Sequence, residues 1–232
     1  MNSSIKQTAL YNEHLNNNAK IVEFAGFMMP VNYDKGIQQE YNTVRNGVGI
    51  FDVSHMGEIF IYGDGSELFL QFMTVNDITK MSVGDAQYNI VCNNNGGIKD
   101  DIIIYRLEDK YILIVNASNI EKIFNWLLLN NNFECNIENK SDEFSLIAVQ
   151  GPKSRVLLSE IFDMELGLKF YKHETINYKK NNLLLSRTGY TGELGYEILC
   201  QHHDIIKLWK KLINLGAFPC GLAVRDVLRM EM

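Results

Sequence analysis

The chain has 232 residues, a formal net charge of −6 and 46% hydrophobic residues. That length can bury a substantial core in one large domain or two lobes. The acidic balance, with no cluster of Lys or Arg, argues against a nucleic-acid partner. No apolar run is long enough to span a bilayer, and no basic segment followed by an apolar one opens the chain. The expectation is therefore a cytoplasmic protein that takes neither nucleic acid nor membrane. Cys92, Cys135, Cys200 and Cys220 lie far apart with no Cys-x-x-Cys pair. This spacing fits free thiols better than structural zinc, and no metal site is expected.

Taken in order, organised sequence begins near Thr8, and the aromatic and Met-rich stretch Phe24–Tyr33 reads as core lining. Ile37, Tyr41 and Val44 recur at helical spacing, and Gly47 and Gly49 end that helix. Ile50–Gly57 is too polar for a buried strand and too apolar for an idle loop, so it reads either as the wall of a site or as a bend. After a strand over Glu58–Tyr62, Asp64 with Glu67 forms a capping-box pattern ahead of Leu68, Phe69, Phe72 and Met73; Ser118 with Glu121 repeats it ahead of Ile120, Ile123, Phe124 and Leu127. Strands are expected over Tyr111–Asn116, Phe133–Ile137, Phe144–Gln150, Leu183–Ser186 and Tyr196–Leu199. Pro152 opens a helix carrying Val156, Leu157 and Ile161. The segment between that helix and Leu183 is read as irregular and His202-His203 as a solvated turn, before a helix that stops at Gly216. The last helix, from Pro219, meets no cap or breaker, and the C-terminus looks cut.

The most informative stretch is Tyr88–Tyr105. It reads as two strands joined by Asn93, Asn94, Asn95, Gly96 and Gly97, residues that tolerate positive φ and suit a hairpin turn. Asp100 and Asp101 open the second strand, ahead of Ile102, Ile103 and Ile104. Strand alternation puts Asp101 with Ile103 and Tyr105, and Asp100 with Ile102 and Ile104. Further on, Arg187–Glu197 holds three glycines, which implies tight backbone geometry and close approach to some other group. Taken singly, Asp101, Tyr88, Tyr105, Glu197 and Arg225 all have ordinary readings: a strand-edge carboxylate, core tyrosines, a surface ion pair.

Together they carry more. Phe51-Asp-Val-Ser-His-Met56, Asn95-Gly-Gly-Ile-Lys-Asp-Asp101, Val149-Gln-Gly-Pro152, Thr188-Gly-Tyr-Thr-Gly-Glu-Leu-Gly-Tyr-Glu197 and Cys220-Gly-Leu-Ala-Val-Arg-Asp226-Val-Leu-Arg occur in this order. The set resembles the T-protein family of the glycine cleavage system, from about Thr8 to the last residue. The resemblance implies an α+β folate-binding aminomethyltransferase fold of antiparallel sheets with packed helices. Two of the family's three lobes are then present: residues 1–54 plus 140–232, and an inserted ferredoxin-like lobe over 55–139. The C-terminal β domain is absent, and the chain is either a fragment or a short form.

The family passes a one-carbon unit from the aminomethyl-dihydrolipoyl arm of the H-protein to tetrahydrofolate, releasing ammonia and giving 5,10-methylenetetrahydrofolate. An amine nitrogen attacks a carbon with iminium character, and a buried carboxylate can stabilise that charge and accept the proton. By resemblance this role falls on Asp101, with Asp100 as its structural neighbour. Glu197 becomes the acceptor for the pterin, with Met56, Tyr88, Tyr105 and Tyr190 around the rings. Arg225 then pairs with a folate carboxylate or pins the site, and Asn116 lines it. Other readings are a folate-dependent demethylase of a related branch and a non-catalytic folate-binding protein.

Overall fold

The structure is a computed structural model and describes residues 5–232. The chain falls into two compact units: the described part of Met1–His55 with Ser145–Phe170 and Glu174–Met232, and Met56–Phe144 with Tyr171–His173.

The first unit begins with strand β1 (Lys6–Gln7), helix α1 (Tyr11–Asn16), strands β2 (Lys20–Phe24) and β3 (Phe27–Asn32), helix α2 (Gly36–Asn46) and strand β4 (Gly49–Asp52). Strands β1, β3 and β2 make a small sheet in that order. Phe24–Tyr33 is thus mostly a hairpin: Met29 and Tyr33 are buried, but Phe24 is exposed. All four residues of β4 are buried, which corrects the expectation that this stretch is too polar for such a strand. Its polar residue, Asp52, is answered by three donors described below.

The second unit runs β5 (Gly57–Tyr62), α3 (Ser66–Met73), β6 (Ala86–Cys92), β7 (Ile98–Arg106), β8 (Lys110–Val115), α4 (Ile120–Leu129) and β9 (Asn136–Asn139). Its sheet has the order β6-β7-β8-β5-β9, and its neighbouring strands pair antiparallel. One face packs Ile59, Ile102, Ile104 and Leu113 with Phe69 and Leu127 of the two helices. Neither capping box forms. Gly65 stands at the N-cap of α3 and Asn119 at that of α4, and neither cap makes a side-chain bond. A short 3-10 turn, Ala117–Asn119, precedes α4 and occupies the residues that the second box would have used.

The chain returns to the first unit as β10 (Phe144–Gln150), α5 (Ser154–Phe162), β11 (His173–Tyr178), β12 (Asn181–Ser186), β13 (Gly195–Gln201), α6 (His202–Asn214), β14 (Phe218–Pro219) and α7 (Leu222–Met230). The sheet order is β11-β12-β13-β10-β4-β14. Ile50, Ile147, Val149, Ile198 and Leu185 pack with Leu158 and Trp209 of helices α5 and α6. Burying each such side chain contributes roughly 1.5–3 kcal/mol. Two expectations are corrected. The segment before Leu183 is not irregular throughout, because it contains β11. His202 and His203 begin α6 rather than form a solvated turn, with His202 Nδ1 bonded to Ser145 Oγ at 2.8 Å.

Helix α7 is seated by contacts distant in sequence. The fully buried Glu40 carboxylate of α2 accepts from Tyr33 N at 2.6 Å and Gly221 N at 2.9 Å. A Cβ on Gly221 would come within 2.3 Å of Val31 O, so only glycine lets the start of α7 lie this close to β3. Arg45 of α2 reaches Thr191 O at 2.9 Å, Glu193 at 2.8 Å and Glu231 at 2.5 Å. One helix thus braces both the glycine-rich loop and the end of α7.

Candidate functional site

In the second unit the turn forms through the Asn93 side chain, whose Oδ1 accepts from Asn95 N and Gly97 N at 2.9 Å each, while Gly96 takes φ +78°. The register pairs Ile90 with Asp101, Tyr88 with Ile103 and Ala86 with Tyr105. These six residues therefore share one face, opposite the one that packs Ile102 and Ile104. The two carboxylates differ sharply. Asp100 is 4% exposed and accepts from Asn116 N at 3.0 Å, Asn116 Nδ2 at 2.9 Å and Asn119 Nδ2 at 2.5 Å. Asp101 is exposed and receives Tyr88 OH at 3.3 Å and Asn116 Nδ2 at 3.0 Å. The Asn116 amide also donates to Asp101 O at 3.0 Å, so its two hydrogens are shared among three acceptors. Asp101 is held in place with spare acceptor capacity, whereas Asp100 is knotted into the fold.

The aromatic neighbours are not equivalent either. Tyr88 is 45% exposed beside Asp101, but Tyr105 is buried edge-on against His173 at 5.4 Å. Met56, at the start of this unit, is half-buried.

In the first unit Glu197 lies in β13 at 7% exposure, and its Oε2 accepts from Thr188 Oγ1. Tyr190 is partly exposed, with the Arg225 guanidinium 4.6 Å from its ring centroid. Burial pushes the Arg225 pKa down, and the nearby Glu197 and Tyr190 oppose that shift. Arg225 Nη1 is sealed from solvent and has no acceptor among the described residues. The site residues expected from sequence thus fall into two groups. Met56, Tyr88, Asp101, Tyr105 and Asn116 belong to one unit; Tyr190, Glu197 and Arg225 belong to the other.

The close approach implied by the glycines of Arg187–Glu197 is made by Gln150. Its Nε2 donates to Thr188 O at 3.3 Å and Tyr196 O at 3.2 Å, and its Oε1 accepts from Thr191 Oγ1 at 2.8 Å. A Cβ on Gly189 or Gly195 would fall 2.2–2.3 Å from that amide. The Val149-Gln-Gly-Pro152 motif therefore serves the loop that carries Tyr190 and leads to Glu197.

Sequence reasoning passed over His55. It is 4% exposed, edge-on to Phe24 at 5.6 Å, and its Nδ1 is sealed without a partner among the described residues. Burial pushes its pKa down to about 4; Asp52 opposes the shift and Arg225 adds to it. The imidazole is thus neutral at pH 7. Asp52, three residues earlier, accepts Thr8 Oγ1 at 2.6 Å, His14 Nε2 at 2.9 Å and Ser54 N at 3.0 Å, and Tyr33 OH meets His14 Nδ1 at 2.9 Å. The Phe51–Met56 motif was the available signal for both residues.

The order of elements, an antiparallel sheet in one unit with a mixed sheet in the other, and the two polar clusters define a class of protein that comparison makes specific. The chain belongs to the family described as the GCVT N-terminal domain, whose model matches residues 10–232. It is 46% identical over 231 residues to an aminomethyltransferase of Thermosipho melanesiensis, covering 98% of this chain and 63% of that relative. It superposes with TM-score 0.91 and 33% identity on the glycine cleavage system aminomethyltransferase T of Bartonella henselae, over 98% of this chain and 63% of the other. A heterotetrameric sarcosine oxidase from Corynebacterium sp. U-96 shares the fold at TM-score 0.55 and 14% identity, over 83% of this chain and 92% of that one. The T-protein resemblance carried by the five motifs and the α+β fold are both borne out. The chain spans 63% of the length of the relative from Thermosipho. No helix among the described residues is long and apolar enough to cross a membrane.

Proposed function

We propose that this chain carries the folate-binding and one-carbon-transfer residues of a glycine cleavage aminomethyltransferase. Tetrahydrofolate is the acceptor, the lipoylated H-protein brings the aminomethyl group, and ammonia leaves. The observation that carries this reading is Asp101: a solvent-reachable carboxylate, oriented by Tyr88 and Asn116, with acceptor capacity left over. The sequence similarity to a curated aminomethyltransferase over nearly the whole chain supports it.

The residues fit the chemistry of a reduced pterin, which presents N–H donors and a carbonyl on one edge of a flat ring system. Glu197 offers a carboxylate to the N–H groups, and Tyr190 offers a ring face beside it. Arg225 Nη1 is a sealed donor that needs an acceptor. When bound, the folate supplies the amine that takes up the one-carbon unit. Asp101 holds the proton displaced from that amine and opposes positive charge at the carbon being transferred. Asn116 keeps the Asp101 carboxylate fixed, so little reorganisation is needed as charge develops. Tyr88 and Met56 offer aromatic and apolar surface to the ligand, and the buried Tyr105 stands on the same sheet face as Tyr88. On this reading the protein works in the cytoplasm.

Calorimetric titration with tetrahydrofolate, followed by a 5,10-methylenetetrahydrofolate assay with aminomethylated H-protein, tests the proposal. Binding is expected, and Glu197→Gln weakens it about 10- to 100-fold by removing a charge-assisted contact of roughly 1.5–3 kcal/mol. Product from N-methylated substrates instead of H-protein would assign the chain to a demethylase branch. Binding without any product would reduce it to a folate-binding protein, and failure to bind would remove the reading altogether.

A further inference from the structure

Strand alternation sends Asp100 and Asp101 to opposite faces of the sheet, yet one side chain joins them. Asn116 follows β8 directly, and the buried Asp100 carboxylate grips it at two points. Asp100 Oδ2 accepts from Asn116 N at 3.0 Å, and Oδ1 accepts from Asn116 Nδ2 at 2.9 Å. With backbone and side chain both held, the amide turns its hydrogens toward Asp101 and donates to O and Oδ1 at 3.0 Å each. A flipped amide would set its carbonyl oxygen against three acceptors. Asp100 thus sets an orientation that Asp101 feels. The two oxygens of Asp101 are then unlike. Oδ1 is engaged by the fixed amide, whereas Oδ2 meets, among the described residues, only the Tyr88 hydroxyl at 3.3 Å. That bond is long for a hydroxyl on a carboxylate, and the Tyr88 ring is 45% exposed, so Oδ2 gives it up readily.

Resting on the one-carbon-transfer reading above, the geometry points to Asp100 as a positioning residue: through Asn116 it fixes Oδ1 of Asp101 and leaves Oδ2 to take the displaced proton. The N–H bond of the folate amine breaks as its nitrogen bonds to the transferred carbon, and the proton passes to Oδ2. Asp100 touches no ligand and acts only through the amide. Asp100→Asn keeps the side-chain volume but replaces one acceptor oxygen by an NH2 group. That group faces the donors of Asn116 and Asn119, so the Asn116 amide loses its anchor and Asp101 its fixed oxygen.

The test is a double-mutant cycle on turnover with aminomethylated H-protein and tetrahydrofolate, read per folded molecule. Asp100→Asn and Asn116→Ala should each lower kcat about 10- to 100-fold, the scale of a misplaced catalytic group, with Kd for tetrahydrofolate unchanged. The double variant should be no slower than the slower single one, because the first residue acts through the second. A merely structural Asp100 would lower stability in urea and leave kcat of the folded enzyme at the wild-type value, which overturns the inference. Losses that multiply in the double variant overturn it as well, and both outcomes leave the role of Asp101 intact. An Asn116→Ala enzyme with wild-type kcat has the same consequence, whether or not Asp100→Asn folds. Absence of turnover in the wild-type chain removes the reading of Asp101 and the inference with it. A second measurement needs no turnover. In ¹⁵N NMR the side-chain amide of Asn116 should shift on Asp100→Asn, and an unmoved resonance contradicts the assignment.

Discussion

Asp100 and Arg225 are both charged groups drawn out of water, one in each unit, and their surroundings differ in kind. Around Asp100 three donors from Asn116 and Asn119 answer the carboxylate. Around Arg225 the ring face of Tyr190 leaves Nη1 without an acceptor among the described residues, and His55 Nδ1 is in the same condition. The first arrangement is complete in the protein alone and spends its hydrogen bonds on the fold. The second is incomplete, so part of its desolvation cost is left uncompensated by the described residues. Asp101 stands between these extremes, oriented by protein donors yet open to solvent.

The largest expected effect separates the two adjacent carboxylates. Asp101→Asn should lower turnover with H-protein and tetrahydrofolate by about 10²–10⁴-fold, the range for loss of a positioned acid–base group, with the dissociation constant for tetrahydrofolate unchanged. Equal loss of affinity and turnover would erase the division of labour between Asp101 and Glu197.

Next comes the other fully answered carboxylate, Asp52. Burial alone would raise its pKa, but the bonds from His14, Thr8 and Ser54 outweigh that and leave it lowered. A lowered carboxylate stabilises the fold above the unfolded-state value of about 4 and loses that contribution as the pH falls below it. Asp52→Ala should cost about 3–5 kcal/mol at pH 7, because it strands the buried His14 and Thr8, and should flatten the acid limb of the stability profile. Urea denaturation at a series of pH values measures both.

Asp100→Ala removes an acceptor shared by three donors and should cost roughly 2–4 kcal/mol in the same assay. A loss below about 0.5 kcal/mol would show that the Asn116 and Asn119 amides find other partners.

The smallest effect has the opposite sign. Glu58 is fully buried, and neither carboxylate oxygen has a partner among the described residues. Burial, with Asp142 nearby, raises its pKa well above the ordinary carboxylate value. The folded state therefore holds this proton more tightly than the unfolded chain, and stability falls as the pH rises past the unfolded value. Glu58→Gln should accordingly stabilise the chain by roughly 1 kcal/mol at pH 7 and by nothing near pH 4. A pH-independent effect would mean that the carboxyl group finds a partner in solution.

Much of the second unit was legible in the sequence, because its signals are local. The Asn93–Gly97 turn and the alternation of Asp100 with Asp101 depend only on residues a few places apart. The capping boxes were local signals too, and they failed. A 3-10 turn held by Asn119 N to Asn116 O at 2.8 Å displaced the second. The first lost its place because α3 begins only at Ser66, with Gly65 at its N-cap. Strand β4 was misjudged for the opposite reason: nothing near Asp52 in sequence shows that Thr8 and His14, 44 and 38 residues away, will answer it.

The sequence by itself determined the family, through five motifs in order, and the face on which Asp101 stands, through a two-residue period. The tertiary structure alone decided which polar groups are paired. It filled the space left by Gly189 and Gly195 with the Gln150 amide, seated α7 on Glu40, and left His55 Nδ1 and Arg225 Nη1 without hydrogen-bond partners among the described residues. Hydrogen-bond partners separated by 41 and 181 residues carry no periodicity and no fixed spacing, so pairing becomes visible only once the chain has folded.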